Sequence, residues 1–318
     1  MKLRGVEFGN IFGASGSMNF FKDGWPYDKY FKFIPGYTMD GITHISKTAT
    51  LLETIGNMPI NKETLQPLDK LPDCIYVDFL RSFVLNAVEL TNTGLDDLIS
   101  RNIWQQMTKN FVISVMVIGK SLEQRIEEMK GIKTHLKRLI PDLKAKIAVE
   151  INESCPNVGH DTRKLAKESL LHFEIMDGLG VPLIAKFNLL IPIFLAVKLA
   201  HSGFCDAFSI PNTYPFYELP EKFRKKLFKN GISPLHNYGG GGYSGPWQTQ
   251  LTAEWIWRAR KADIELPIIA GSIYKRGDVR LMKEAGASAI AVGAVKIVRP
   301  WRLKGTKKEA NKQFGGER

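Results

Sequence analysis

One cysteine in this chain lies between two asparagines at the end of a short apolar run. Residues 146–157 read KIAVEINESCPN, and the first half is rich in Ile and Val, as a buried strand should be. Pro156 ends that pattern, so the strand end presents the thiol of Cys155 beside the amides of Asn152 and Asn157. A cysteine there could act as a proton-abstracting base or as a nucleophile. The alternative is a small core residue, because free cysteine is among the most buried residue types.

Polar residues also follow other apolar runs in the chain. Lys47-Thr48 and Asn212-Thr213 each follow such a run, and Lys186 lies inside one. Buried lysine is rare unless it is paired or functional. Lys186 is therefore a candidate site residue, and the alternative is a lysine that reaches solvent from the rim of its strand.

Small residues follow the last two apolar runs. Gly271-Ser272 and Gly293-Ala294 would let backbone N–H groups approach a phosphate near a helix start. The glycine run at 239–242 permits a similarly close approach of backbone to a ligand. In a parallel α/β barrel, the loops after the seventh and eighth strands are the usual phosphate site.

The spacing of the apolar runs predicts the fold that positions these residues. Strand-like and helix-like segments alternate, and eight such units favour one closed (β/α)8 TIM barrel, in which the ends of the strands converge. A doubly wound open sheet is the alternative, but no glycine-rich dinucleotide motif follows the first strand. The predicted strands lie near 5–12 and at 42–46, 111–118, 146–151, 182–187, 205–210, 267–270 and 288–292. The predicted helices lie at 94–108, 121–139, 163–177, 189–201, 251–262, 276–285 and near 294–301.

A single domain is predicted, with the barrel at 1–301 and a basic tail at 302–318. No repeat or linker divides the chain. Two connections, 49–93 after strand 2 and 213–250 after strand 6, are too long to be plain loops. Loops of that size are usually functional or form lids.

The composition is that of an ordinary globular protein. Of 318 residues, 44% are hydrophobic and 24% are charged. No apolar run of about 18 residues and no apolar N-terminal segment is present, so we expect a cytoplasmic protein. The three cysteines share no metal-type spacing, which indicates neither a metal site nor a disulfide scaffold. Lys and Arg exceed Asp and Glu by 12, which suits anionic ligands, phosphates or RNA but is equally explained by surface solubility.

The motifs, taken in order, resemble those of the dihydroorotate dehydrogenase family across nearly the whole chain. The shared segments are NESCPN, AKFN, PNT, GGGYSGP and IIAGSIYKRGDV…AGASAIAVGA, preceded by ASG at 14–16, KT at 47–48 and GNMP at 56–59. The resemblance implies a barrel that binds FMN. It also implies a likeness to the soluble class 1 enzymes, because Cys155 stands where the membrane-linked class has serine.

The resemblance further implies a reaction and roles for individual residues. Dihydroorotate would be oxidised to orotate in pyrimidine biosynthesis, with Cys155 removing the C5 proton and FMN accepting the C6 hydride. The residues implied to bind the substrate are Lys47, Asn86, Asn152, Asn157, Asn212 and Thr213. Those implied to bind the cofactor are Ala14, Ser15, Gly16, Lys47, Thr48, Asn152, Lys186, Gly245, Gly271, Ser272, Gly293 and Ala294.

The resemblance implies a homodimer and leaves two electron acceptors open, fumarate and NAD. NAD would require a partner subunit that carries an iron–sulfur cluster and FAD, because the chain has no cysteine pattern for a cluster. Neither a membrane nor a nucleic acid is expected as a partner.

The chain departs from the family pattern at three places. Residues 86–89 read NAVE where the family usually has glycine at the fourth position, so Glu89 adds a negative charge near the expected substrate carboxylate. A carboxylate that faced the pocket would oppose anion binding, and we expect Glu89 to face solvent. Ser272 replaces a usual glycine, and Gln248-Thr249 replace a common Lys-Pro.

Three other functions stay open on the sequence alone. A dihydrouridine synthase, also an FMN barrel with a cysteine after a strand, acts on tRNA and would suit the net charge. Against it stand Asn157 after Cys-Pro, the GGGYSGP loop and the short segment after 302. A uracil-reducing dihydropyrimidine dehydrogenase normally has histidine after Cys-Pro. The third alternative is a diverged barrel that binds flavin or pyrimidine without turnover, and Glu89 would be its mark.

Overall fold

The computed structural model describes residues 1–153 and 162–315, with side chains from 168 onward in the second range. The strands are β1 (Lys2–Leu3), β2 (Val6–Glu7), β3 (Ile11–Gly13), β4 (Ile75–Asp78), β5 (Phe83–Asn86), β6 (Phe111–Val115), β7 (Ile147–Asn152), β8 (Leu183–Lys186), β9 (Ala207–Ile210), β10 (Tyr214–Pro215), β11 (Gly242–Ser244), β12 (Ile268–Ala270) and β13 (Ala289–Val292). The α-helices are α1 (Asp28–Phe31), α2 (Leu95–Ser100), α3 (Leu122–Leu139), α4 (Thr162–Met176), α5 (Ile193–Ala200), α6 (Glu221–Leu227), α7 (Trp247–Lys261), α8 (Arg276–Ala285), α9 (Val295–Val298) and α10 (Leu303–Phe314).

Seven parallel strands form one curled sheet in the order β3-β13-β12-β9-β8-β7-β6. The segment 43–49 lies between the two edges of this sheet. On one side the Thr43 amide donates to the Ile11 carbonyl at 2.9 Å, and on the other the Ser46 amide donates to the Val112 carbonyl at 2.9 Å. Three isolated parallel bridges accompany these bonds. The predicted (β/α)8 barrel is therefore confirmed, with 43–49 as its eighth strand position.

The predicted helices agree with the structure where an apolar stripe and a cap coincide. Helix α3 begins after Ser121, whose hydroxyl accepts the Gln124 amide while the Gln124 side chain accepts the Ser121 amide. Met129, Ile132 and Leu136 lie on its buried face.

One predicted helix differs from the structure. The helix predicted at 94–108 is divided into α2 and a short 3-10 turn at Trp104–Gln106. Asn102 between them has φ 57°, a left-handed conformation that ends a helix. Within the segment interpreted as a basic tail, α10 buries Leu303 and Ala310.

The two long connections are partly ordered as strands of a second sheet. Strands β4 and β5 come from the first connection, β10 and β11 from the second, and they pair antiparallel in the order β10-β11-β5-β4. Their register places Gly242 opposite Asn86. The sheet has its own apolar cluster, which includes Phe83, Phe216 and Tyr243. Since β10 follows β9 after three residues, this sheet lies at the carboxyl end of the barrel.

The barrel interior changes from apolar to polar along its strands. Inward positions recur every second residue, so Val112, Ala148 and Ile184 belong to one apolar cluster that also contains Leu3 and Phe8 from the N-terminal hairpin. Two residues further along β6, β7 and β8, the inward side chains are those of Ser114, Glu150 and Lys186. The floor of the barrel is thus packed with hydrocarbon, and the polar layer lies toward the carboxyl ends.

Candidate active site

A chain of buried polar side chains crosses the carboxyl end of the barrel. Ser15 Oγ lies 3.0 Å from Thr48 Oγ1, which lies 2.9 Å from Ser114 Oγ. Ser114 Oγ donates to Glu150 Oε1 at 2.9 Å, and Lys186 Nζ lies 3.6 Å from the same oxygen. These contacts therefore link three predicted cofactor residues at different strand ends, Ser15, Thr48 and Lys186. The link runs through Ser114 and Glu150, which were not predicted as site residues.

Glu150 is the more informative of those two residues. It is fully buried, and its Oε2 has no hydrogen-bond partner in the part of the chain that the structure describes. A buried carboxylate oxygen that lacks a partner is costly and calls for an explanation. The sequence did hold a signal, because Glu150 is a lone charge in the apolar run IAVEIN, just as Lys186 is in its own run.

Two predicted substrate residues contact each other. Asn212 Nδ2 donates to Asn152 Oδ1 at 3.0 Å, and Asn152 Nδ2 lies 3.5 Å from Thr48 Oγ1. The backbone amide of Thr213 donates to Asn212 Oδ1 at 2.9 Å. Gln248 Nε2, from the first turn of α7, donates to the carbonyl of Asn212 at 3.3 Å. The amides are thus held beside the polar chain described above.

Lys47 lies at the rim between the N-terminal loop and the loop before α2. Its side chain is buried, its Nζ donates to the carbonyl of Thr91, and it lies 5.2 Å from the centre of the Phe20 ring. A Cβ on Gly16 would lie 3.6 Å from the Lys47 side chain. The predicted residues Gly16 and Lys47 are therefore neighbours, and this part of the rim carries a positive charge.

A cleft at the carboxyl end of the barrel contains most of the predicted cofactor residues. A Cβ added to Gly271 would lie 3.1 Å from Pro211, and one added to Gly293 would lie 3.2 Å from Ala14, so these positions favour small residues. Ser272 between the strand and α8 has φ 57°. The cleft is lined by Ala14, Ser15, Lys186, Ser209, Pro211, Asn212, Ser244, Gln248, Gly271, Ser272, Ile273, Tyr274, Ala291, Gly293 and Ala294.

Asn86 and Gly245 belong to the elements that cover the barrel mouth. Asn86 ends β5, half-buried, and its backbone packs against Gly241. Gly245 joins β11 to α7, and a Cβ there would meet the Tyr243 side chain at 2.1 Å. Cys155 and Asn157, the predicted base and the fourth predicted asparagine, lie outside the described residues.

The other two cysteines are buried and poorly suited to act as bases. Cys74 is fully buried and Cys205 is 4% exposed. Burial raises the pKa of Cys74 to about 11 and that of Cys205 to about 12. Because the thiolate is the reactive form, the raised pKa values make both thiols poor nucleophiles and poor bases near neutral pH.

A buried ion pair lies directly before the segment that contains Cys155. Glu153 accepts from His172 Nδ1 at 2.9 and 3.1 Å, and both side chains are buried. Burial alone would lower the pKa of His172, but the charge and hydrogen bond of Glu153 outweigh burial and raise it. Nearby, Arg125 binds Glu168 with two hydrogen bonds of 2.8 and 2.9 Å.

Glu89 lies in a tight loop whose backbone packs on the GNMP motif. Its φ is 56°, that of Leu90 is 58°, and its side chain is half-buried. A Cβ on Gly56 would meet the carbonyls of Val88 and Glu89 at 2.5 and 2.8 Å, so only glycine fits there. The expected orientation of the Glu89 side chain toward solvent stays a prediction.

Within residues 1–153 and 162–315 there is no group of three or more His, Cys, Asp or Glu that could hold a metal ion. No helix in those ranges combines the length and the apolar character needed to cross a membrane. The polar groups that the described residues bring to this site are therefore amides, hydroxyls, two lysine ammonium groups and one carboxylate.

The chain is similar to bacterial proteins named dihydroorotate dehydrogenase B (NAD(+)), catalytic subunit. The protein of that name from Thermodesulfovibrio yellowstonii is 28% identical over 223 residues, which cover 68% of each chain. The one from Enterococcus faecalis is 28% identical over 230 residues, 69% of this chain and 67% of that protein. The one from Geobacter sp. M21 is 26% identical over 257 residues, 78% of each chain. No family model matches the chain.

These relatives carry the family name that the order of the motifs indicated. Their similarity extends over 223 to 257 residues, so it is not confined to any single motif. The barrel of eight strand positions is the fold that the same resemblance implied. The chain is thus similar, over more than two thirds of its length, to members of the dihydroorotate dehydrogenase family.

Proposed function

We propose that this protein is an FMN-dependent dihydroorotate dehydrogenase, which oxidises dihydroorotate to orotate in pyrimidine biosynthesis. The observation that carries the proposal is the convergence of Lys186, Ser15 and Asn212 at one cleft, with Asn152 hydrogen-bonded to Asn212. The names of the relatives supply the substrate class.

The residues of the cleft fit a flavin mononucleotide. The small residues Gly271, Gly293 and Ala294 form a glycine cradle in which a phosphate would lie beside backbone amides, and a Cβ on either glycine would crowd a neighbouring residue of the cleft. Ser15 and Lys186 present a hydroxyl and a cation to the same cleft. When bound, FMN would supply the two-electron acceptor for the substrate hydride.

The remaining residues would bind and deprotonate the substrate. The amides of Asn152 and Asn212 can donate and accept hydrogen bonds together, which matches the alternating N–H and C=O groups of a pyrimidine ring. Lys47 would offset the substrate carboxylate from the rim. Cys155, as thiolate, would take the C5 proton. Asn86, Asn157 and Thr213 would complete the substrate contacts.

The names of the relatives support NAD as the electron acceptor. The relatives are named as NAD-linked catalytic subunits. We infer a partner subunit with an iron–sulfur cluster and FAD for this chain, and assembly as a homodimer. The partner subunit is needed because this chain has no glycine-rich dinucleotide motif after its first strand with which to bind NAD directly.

Two measurements test the proposed function. The chromophore released by denaturation should be one FMN per chain, and FAD or no flavin after reconstitution would contradict the proposal. Anaerobic titration with dihydroorotate should bleach the flavin band. Dihydrouracil, which lacks the carboxylate, is the matched control and should bleach it poorly. Equal bleaching by both compounds would overturn the assignment of substrate.

A further inference from the structure

The polar layer of the barrel contains one carboxylate to which the proposed function gives no role. We propose that Glu150 is a positioning residue that fixes the Lys186 ammonium under the cleft and limits how strongly that charge acts on a bound flavin. The inference rests on the proposed function, because it concerns a flavin in this cleft.

The position of Glu150 in the sheet explains its two contacts. Strand β7 lies between β6 and β8, and its register places Glu150 beside Ser114 on one side and Ile184 on the other. Oε1 of Glu150 accepts from Ser114 Oγ at 2.9 Å and lies 3.6 Å from Lys186 Nζ. The same carboxylate oxygen therefore accepts a hydrogen bond from a neutral hydroxyl and lies beside the ammonium.

The geometry leaves the ammonium able to bind a ligand. A separation of 3.6 Å is too long for a strong hydrogen bond, so the protons of Lys186 Nζ are not consumed by Glu150. Lys186 lines the cleft, whereas Glu150 is fully buried beneath it. The ammonium thus lies between a fixed negative charge below and the ligand space above.

The charge balance has a direct consequence for a bound flavin. A cation near the ring stabilises its anionic reduced form. A carboxylate 3.6 Å from that cation opposes the effect, and screening is weak because Glu150 is fully buried. Glu150 should therefore hold the flavin potential lower than Lys186 alone would set it.

The test measures the flavin itself rather than turnover. In Glu150→Gln the amide keeps the shape of the side chain but removes the charge. We expect the equilibrium between oxidised and reduced flavin to shift at least tenfold toward the reduced form, which is about 30 mV for a two-electron couple. Sulfite, which adds to electron-poor flavins, should bind at least tenfold more tightly. An unchanged potential would overturn the proposal.

A second background shows whether Glu150 acts through Lys186. In Lys186→Met, the further change Glu150→Gln should shift the potential toward the reduced form much less than it does in the wild-type background. An equal shift in both backgrounds would show that the two residues act independently and would contradict the positioning role.

Two further variants guard against misfolding and indirect effects. Glu150→Asp withdraws the carboxylate by one methylene. The flavin equilibrium should then shift toward the reduced form by about threefold, less than in Glu150→Gln. An unchanged flavin potential in Glu150→Asp would contradict the proposal even if the glutamine variant fails to fold. Glu168→Gln is the matched control, because its carboxylate pairs with Arg125 between α3 and α4, outside the barrel interior. Its potential should stay at the wild-type value. Failure of wild-type protein to bind FMN would instead refute the proposed function.

Discussion

The side chain of Asn212 donates a 3.0 Å hydrogen bond to the side chain of Asn152, although 60 residues separate them in the chain. The two residues lie at the carboxyl ends of β9 and β7, on either side of β8. The bond engages the oxygen of Asn152 and one amide proton of Asn212, while the Thr213 amide engages the oxygen of Asn212.

This pairing predicts a loss of pyrimidine binding in Asn212→Ala. The variant lacks a contact of its own and frees Asn152 to rotate, so orotate affinity should fall at least tenfold, or about 1.4 kcal/mol, while FMN stays bound. Orotate dissociation constants from the flavin spectral shift measure the effect. Asn110→Ala is a control at the opposite end of the barrel, where Asn110 binds the Glu7 carbonyl. Equal losses in both variants would point to a general loss of stability.

The assignment of the base predicts that Cys155→Ala slows flavin reduction by dihydroorotate at least ~10²-fold, the usual scale for removal of a general base. FMN content should not change. Cys155→Ser should keep some activity at higher pH, because a hydroxyl is harder to ionise. Cys205→Ala is the control, since that thiol is buried and its pKa is raised to about 12. Normal reduction in Cys155→Ala would return Cys155 to a packing role.

The glycine cradle predicts that Gly293→Ala weakens FMN binding at least tenfold. Its new Cβ would lie 3.2 Å from Ala14 and would fill space at the cleft wall. Equilibrium dialysis of the apoprotein against FMN measures the affinity. Gly277→Ala is the matched control in α8, because its Cβ would lie 3.9 Å from the Lys275 side chain. FMN affinity within about twofold of wild type in Gly293→Ala would show that the phosphate lies elsewhere.

The charge at Glu89 gives a prediction about substrate choice. If the side chain faces solvent, as we expect, Glu89→Gly should leave orotate affinity within about twofold. Glycine also suits the φ of 56° at this position, so the backbone should not change. Two like charges about 4 Å apart repel by roughly 4 kcal/mol at an effective dielectric near 20. A tenfold or larger tightening would therefore show that Glu89 faces the substrate.

Two buried histidines predict opposite dependences of stability on pH. The pKa of His172 is raised by Glu153, despite burial and the opposing charge of Arg125, and Glu168 contributes in the same direction. Its stabilising effect is fully present below the unfolded pKa of about 6.5 and is lost as pH rises through the folded pKa. The stability difference between wild type and His172→Gln, from denaturant unfolding, should shrink as pH rises from about 6.5.

His44 provides the comparison with the opposite sign. Burial lowers the pKa of His44 to about 4, although its hydrogen bond with the Phe20 carbonyl acts in the other direction and the charge of Lys22 adds to the lowering. The unfolded chain then binds more protons between about pH 6.5 and 4, so wild type should lose stability on acidification and His44→Gln should lose less. For His172, a stability difference between wild type and His172→Gln that grew as the pH rose would contradict the ion pair with Glu153.

The sequence by itself determined the strands and helices that carry strong local patterns. The runs at 111–118, 146–151 and 288–292 coincide with β6, β7 and β13, because fully buried parallel strands require continuous apolar residues. The polar strand ends could be predicted to converge, since a barrel brings all carboxyl ends to one mouth. The order of the motifs indicated the family that the chain resembles.

Only the tertiary structure decided which side chains touch. Ser114 and Glu150 are 36 residues apart and Lys186 is another 36 further on, and neighbouring strands bring them into one layer. The same applies to β5 and β11, which come from two separate connections and meet in one sheet. Such contacts depend on strand register and barrel closure, and both are fixed by the summed packing of the whole chain rather than by any local segment.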